Sequence, residues 1–421
     1  MLKKLFLFSM IFISLPEYAM WNLLSGIFSK QTQGMDNQVQ EKQSSVHVLK
    51  DFICRQKYSE LVKNTNQNCI AREKCSSPNS LDLVASNNDP KCIAFVDISE
   101  QSPRIMISDA DKKTSFASSL VHGPSLCFDR NDEHVAAKVQ VKQHLRWGDL
   151  VRIYNRTSNT TFDIPALLVL NMLWNKTQER NLLTILTTQA KVYEVQNNTA
   201  ESLCVFDHDV YQSSWVIQWH PKKDIMQVAL NREDATLAFV DGISGKTIQS
   251  IKDKRDCLDD SAFNRDGSLL AVTAGNFTSK AQDYGLSIYD VSAGKLVRDL
   301  SLKQDVSMYH IAGWHGQQVA FMDRQKVQLY DIGSGKVVRS FQDEDDIRTS
   351  YISPDGVKLM VAKKNEIKVI DIASGKLINS YPKEGDASAI MKSVWNCDSS
   401  AIYYMQQGSE GAYIYEGLLE K

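Results

Sequence analysis

Leu286-Ser287-Ile288-Tyr289-Asp290-Val291-Ser292-Ala293-Gly294-Lys295 sets the frame of this chain. Its last six residues have three sisters. They are Asp241-Gly242-Ile243-Ser244-Gly245-Lys246, Asp331-Ile332-Gly333-Ser334-Gly335-Lys336 and Asp371-Ile372-Ala373-Ser374-Gly375-Lys376. Each follows one apolar stretch and precedes another. A self-similar phrase at a period of about forty residues marks a stacked repeat architecture. Repeats of this kind build binding surfaces more often than catalytic centres.

A second mark precedes each phrase: an apolar or aromatic residue, a polar turn, then alternating apolar residues. Phe263 leads into Asn264-Arg265-Asp266-Gly267 and then Leu269-Leu270-Ala271-Val272. Ile352 leads into Ser353-Pro354-Asp355-Gly356 and then Leu359-Met360-Val361. Pro and Asp-Gly suit tight turns, and the flanks carry a strand period. Eight such marks share one frame: Ser86, Phe128, Trp174, Trp219, Phe263, Trp314, Ile352 and Trp395. Each copy reads as four short strands, a to d, with Asp-Gly joining a to b and Asp-x-x-Ser-Gly-Lys joining c to d. The fold class is therefore all-β: a β-propeller of four-stranded antiparallel blades, seven or eight in number.

The last copy stops after strand c at Tyr413 to Tyr415, and an open edge there would be a pairing liability. The ring is expected to close with an N-terminal strand, for which Val46-His47-Val48-Leu49 is the candidate, with a short helix over 56–63. Four segments follow: a signal peptide at 1–20, a flexible linker at 21–44, a closing strand with a helix-containing connection at 45–80, and the propeller at 81–417. Lys3 and Lys4 before the apolar run Leu5 to Leu15 suit a secretory signal, too short for a comfortable span. Export to a periplasm or medium is expected. An uncleaved membrane anchor is the alternative, since Glu17 fits poorly before a cleavage at Ala19. No second stretch is apolar enough to span a bilayer.

The chain has 48 basic and 50 acidic residues, a balance without the electrostatic footprint of a nucleic-acid binder. Eight cysteines permit disulfides in an exported chain, and Cys69 and Cys75 are spaced to bridge a small loop. Alternatively, Cys92, Cys127 and Cys204 lie in apolar strand-like runs, where a thiol packs as a small hydrophobe. Sequons at Asn155, Asn159, Asn175, Asn197 and Asn276 would mark exposed loops if the host glycosylates.

The repeats resemble those of WD-repeat and YVTN-type β-propellers, above all in Ile288 to Lys295. Ile352-Ser353-Pro354-Asp355-Gly356 resembles the repeat of TolB-type propellers. The resemblance covers roughly residues 80–417. It implies a fold and is nearly silent on activity. The Trp-Asp and Gly-His pairs of WD repeats are absent, so the hydrogen-bond network they build is not carried over.

Motifs for chemistry are sparse. Ser244-Gly245-Lys246-Thr247 imitates the end of a phosphate loop, but Val240 stands where that loop needs glycine. Asp207-His208-Asp209 lacks further metal ligands, and no H-E-x-x-H or G-x-S-x-G is present. The expectation is a non-enzymatic, monomeric scaffold without cofactor that binds a protein partner. The alternatives are an enzyme or small-molecule or metal site in the central channel, and a TolB-like envelope component. The connections from strand d to the next strand a share one face, and loops on a rigid scaffold commonly carry recognition. Candidate contact residues there are Asp305, Tyr309, His310, Asp343, Glu344, Asp345 and Asp346, with Arg348 and Lys383 as counter-charges. Phe277 and Tyr284, from an insertion between strands b and c of the fifth copy, are candidate anchors.

Overall fold

A computed structural model of the chain describes residues 69–75 and 83–419, apart from short stretches between strands (98–103, 110–111, 119–125, 144–145, 167–168, 176, 178–179, 188, 207–216, 232–235, 256, 276–283, 303–309, 324, 344, 384–388 and 409–410). These residues form eight four-stranded antiparallel sheets. Blades I to VIII span residues 83–118, 126–165, 171–206, 217–252, 257–302, 310–342, 347–382 and 389–418. The ring thus has eight blades; seven of the eight sequence marks fall at or just beyond the end of a strand a, and Trp314 falls one residue before it. Blade V is typical: Cys257–Phe263, Leu269–Gly275, Tyr284–Asp290 and Lys295–Leu302 run a to d.

Strand b explains why the repeats read as runs of apolar residues. Leu270, Val272 and Ala274 pack toward blade IV, whereas Ala271 packs toward blade VI. A strand buried on both faces has no polar side to alternate with. One apolar cluster fills each of the eight blade interfaces. The last of them sets Tyr403, Met405 and Ile414 of blade VIII against Leu83, Ile93 and Phe95 of blade I, and so closes the circle. Burying one such side chain contributes about 1.5–3 kcal/mol.

The fourth strand of blade VIII is Cys69–Cys75, paired antiparallel with Gly411–Leu418. This corrects the choice of closing strand. An N-terminal strand does complete the ring, but it is the charged run Cys69-Ile70-Ala71-Arg72-Glu73-Lys74-Cys75. A strand on the outer edge of a blade needs little hydrophobicity, whereas Val46 to Leu49 has the more apolar pattern. Val46 to Leu49, the helix over 56–63, the linker and the signal lie outside the described residues. The small disulfide loop is also overturned: Cys69 and Cys75 end one extended strand, about 20 Å apart at ~3.3 Å per residue, far beyond bridging distance. Cys92 and Cys204 behave as packed thiols, and burial pushes them up to about 12 and about 11.

Polar locks supplement the apolar interfaces. Trp174, Trp314 and Trp395 each donate their indole N–H to a strand-a carbonyl of the preceding blade: Cys127 at 3.2 Å, Ala262 at 3.0 Å and Tyr351 at 3.0 Å. At the a–b turns, Asp132 accepts from Ser86 Oγ and the Asn87 and Asn88 amides, while His220 and His315 donate to Gly267 and Gly356 carbonyls. Two sequons belong to turns, and Asn175 also reaches Asp224 of blade IV. Asn155 and Asn175 are buried in turn hydrogen bonds, so they do not mark exposed loops.

The outer lock explains the repeated phrase. Strand d carries a β-bulge in blades IV to VII, at Ile248, Val297, Val338 and Ile378. The residue after each bulge is Gln249, Arg298, Arg339 or Asn379. Arg298 reaches Ile332 O at 2.9 Å, Arg339 reaches Ala373 O at 2.8 Å, and Asn379 reaches Leu418 O at 3.3 Å, each in the next blade. Gln249 meets Val291 O and the Gly294 amide once its amide is oriented to suit them. A bulge re-aims a side chain in this way. Glycine in the receiving turn has two reasons to be there. Gly375 has φ +74°, and a Cβ on it would stand 2.2 Å from Arg339 Nη1.

Gly375→Ala is therefore expected to destabilise the fold by about 2–3 kcal/mol in urea unfolding, combining left-handed strain with loss of the Arg339 lock. Gly316→Ala, at φ +57° with open space around its Cβ, is expected to cost only about 1 kcal/mol. Equal costs would refute the lock.

Candidate interaction face

The a–b and c–d turns occupy one face of the ring, and the b–c and d–a connections occupy the other. The second face was the expected site, and its described part is organised around Lys363. This residue ends strand b of blade VII (Lys358–Lys363) and is only 5% exposed. Its ammonium faces Asp343 at 2.9 Å, Glu366 at 3.2 Å and Asp345 at 3.3 Å. Lys368 completes the cluster with 2.7 Å to Asp343, and Ser380 Oγ donates to Glu366. Burial pushes the Asp343 carboxyl up, but hydrogen bonds from Lys368 and Lys363 outweigh it and hold the group well below the carboxylate range.

The expected counter-charges are thus corrected. Asp343 pairs with Lys363 and Lys368. Arg348 is the bulged residue of strand a in blade VII, and its guanidinium donates to Ile390 O of blade VIII at 3.0 Å. Lys383 is exposed, with its amide donating to Asn365 O at 2.7 Å. Asp345 and Asp346 remain outside, Asp345 at 62% exposure. Tyr284 is not an anchor: it is 1% exposed and lies in the cluster between blades V and VI. Its ring covers the opposite Gly275, where a Cβ would sit 2.6 Å away. Phe277, Asp305, Tyr309 and Glu344 lie outside the described residues, as does Asp207 to Asp209.

His310 begins strand a of blade VI, with Nδ1 3.8 Å from Asp260 Oδ2 of blade V. The same oxygen accepts the Ile311 amide at 2.9 Å. Hydrogen bonding to Asp260 raises the His310 pKa. Tyr351, on strand a of blade VII, is 44% exposed, yet desolvation raises its phenol, and the Asp260 charge adds to this from two blades away. Asp260 thus ties blade V to the start of blade VI through His310 and the Ile311 amide.

Asp89, Cys92 and Asp109 bring three potential metal ligands within 4.8 Å of one another near the turn face. Asp109 is held by Arg156 at 2.8 Å, Asp89 by the Lys91 amide at 2.9 Å, and the Cys92 thiol stays protonated. A thiol must lose its proton to bind metal, so a metal here would have to displace that proton and compete with the Arg156 and Lys91 contacts. Among the described residues no helix is long and apolar enough to cross a membrane.

Sequence reading missed Lys363, Lys368, Asp260 and Tyr351. A lysine at the end of an apolar strand reads as a solvated terminus, but the connection from blade VI supplies Asp343 and Asp345, and the next strand of its own blade supplies Glu366.

Lys363→Met is expected to lower stability by about 2–3 kcal/mol at pH 7, because Asp343 loses a charged hydrogen-bond partner. A depressed carboxyl contributes stability above its unfolded pKa, and loses it as pH falls through the folded one. The gap between wild type and Asp343→Asn should therefore narrow below about pH 4 in pH-dependent urea titrations. The His310 imidazole, followed by NMR, should titrate above about 6.5 and drop on Asp260→Asn. Its stabilising share is complete below that pH and lost as pH rises through the raised value. An unmoved His310 would refute the pairing.

No protein-family model matches the sequence, and no curated protein sequence matches it. Solved structures do match in fold. The C-terminal WD40 domain of Sif2 is similar at TM-score 0.61 and 14% identity, over 85% of this chain and all of that one. Chaetomium thermophilum Sqt1, bound to the N-terminus of the ribosomal protein L10, is similar at TM-score 0.60 and 12% identity, over 82% of this chain and all of that one. Chaetomium thermophilum Raptor is similar at TM-score 0.52 and 12% identity over 70% of this chain, which spans 28% of that protein. With eight four-stranded blades in a closed ring and these structural neighbours, the chain has the fold of the WD-repeat β-propellers.

Proposed function

We propose that this chain is an exported scaffold that binds a protein partner through the face of its b–c and d–a connections. The observation that carries the reading is the placement of Asp345 and Asp346. They stand exposed beside the Asp343–Lys363–Lys368 cluster, which fixes the backbone that presents them. A rigid platform with exposed carboxylates, Asp345 sharing Lys363 with Asp343 and Asp346 lying outside the cluster, suits a basic segment of a partner. The resemblance to Sqt1, solved with the N-terminus of another protein, supports a binding role for the architecture. Export rests on Lys3, Lys4 and the run Leu5 to Leu15.

Affinity capture from the native compartment with wild type and with Asp345→Lys/Asp346→Lys tests this. Asp343 is left intact because it holds both Lys363 and Lys368, whereas Asp345, 62% exposed, supplies the longest of the Lys363 contacts. The double variant should stay folded, with a melting temperature lowered only by the lost Lys363–Asp345 contact, and lose a specific partner at least tenfold, on the ~1.4 kcal/mol per decade scale. An unchanged capture profile would remove this face from the proposal. Fractionation should place the mature chain outside the cytoplasm, and cytoplasmic retention would contradict export.

A further inference from the structure

The bulged residues of strand d have two different fates. In blades I and III the bulge falls at Phe116 and Leu203, and both pack against core clusters. In blades IV to VII it falls at Ile248, Val297, Val338 and Ile378, all exposed β-branched aliphatics, with Ile248 at 55%. The preceding residue adds to the apolar surface in three of the four blades: Leu296, Val337 and Leu377 are exposed as well, Leu377 at 56%. The hook that follows each bulge explains why a bulge is there. It does not explain why the displaced side chain is aliphatic in four consecutive blades.

A lysine sits beside each of these positions, at the end of the c–d turn: Lys246, Lys295, Lys336 and Lys376, all exposed. Among the described residues, no carboxylate lies within ion-pairing distance of any of the four. The aspartate that opens each turn accepts hydrogen bonds from that turn's own backbone, as Asp290 does from the Ala293 amide and Asp331 from the Ser334 amide. Arg298 and Arg339 donate to neutral carbonyls, so they too keep their charge unneutralised. The outer wall therefore repeats cation and aliphatic side chain once per blade.

We propose that the outer wall of blades IV to VII is a second docking surface, for an extended protein segment that alternates acidic with aliphatic or aromatic residues. Three constraints select this occupant. Exposed lysines and arginines ask for carboxylates. The bulges break the outer edge at the same place in each of these four blades, which disfavours an added β-strand paired along it. The sites recur around half of a closed ring, and a planar surface meets a ring along a tangent, whereas a flexible segment can bend around it.

A displayed library of random 16-residue segments, panned on the wild-type chain and counter-selected on I248S/V297S/V338S/I378S, tests the proposal. Melting temperature verifies that the quadruple variant folds. Selected segments should be rich in Asp and Glu with spaced Leu, Ile, Phe or Trp. They should bind the quadruple variant and K246E/K295E/K336E/K376E at least tenfold more weakly, and bind Asp345→Lys/Asp346→Lys as they bind wild type. Their affinity should fall as salt rises. Segments that do not distinguish the variants would overturn the proposal. So would variant-sensitive sedimentation with anionic phospholipid vesicles, which would assign the wall to a lipid surface. Variant-sensitive self-association in sedimentation velocity would overturn it in favour of a second copy of the chain.

Discussion

The structure depends on strands that are buried on both faces. Leu270 and Ala271, adjacent in one strand, serve two different blade interfaces. A blade taken alone would expose both of its faces, so no blade can satisfy its own apolar surface. Only a closed ring gives every blade two neighbours. This is why the contact of Tyr403 and Met405 with Leu83 and Phe95 matters more than its size suggests. It removes the two free faces that an open array of blades would leave.

Polar hydrogen bonds give the interfaces their register. Hydrophobic burial is non-directional and would tolerate sliding of one blade on the next. The tryptophan indoles near the axis, the a–b turns on one face and the hooks at the outer rim each fix a particular atom to a particular carbonyl. The repeated Asp-x-x-Ser-Gly-Lys phrase belongs to this system. Its aspartate closes the turn, and its glycine adopts a positive φ and, at Gly294 and Gly375, makes room for the preceding blade's hook. Its lysine faces solvent, where it meets the aliphatic wall of strand d.

The sequence made the inner three strands legible and the outer one much less so. Glycines with positive φ, Asp-Gly turns and runs such as Leu269 to Val272 follow from local physics, and all eight marks fell in the right frame, including the degenerate Ser86. Strand d is half exposed, so its pattern is weak, and Cys69–Cys75 escaped notice because its charges resemble those of a linker. The candidate face was legible as a location and less so as chemistry. Asp345 and Asp346 are exposed as read, but the partners of Asp343 are set by packing between blades VI and VII. Tyr284 reads as a loop aromatic until its pairing with Gly275 shows that the ring covers a missing side chain. Fold-level likeness adds the architecture, and any binding role still rests on these side chains.

Amide hydrogen exchange over Gly411–Leu418 tests ring closure most directly. In the full chain this strand is flanked on both sides, by Ala401–Gly408 and by Cys69–Cys75. Its protection should match that of the c strands of the other blades. Removal of residues 1–76 should raise exchange there by orders of magnitude, and spread it to Ala401–Gly408 and the interface with blade I. Unchanged protection after the deletion would mean that another segment closes the ring, or that the last blade stands without a fourth strand, and the account would fail.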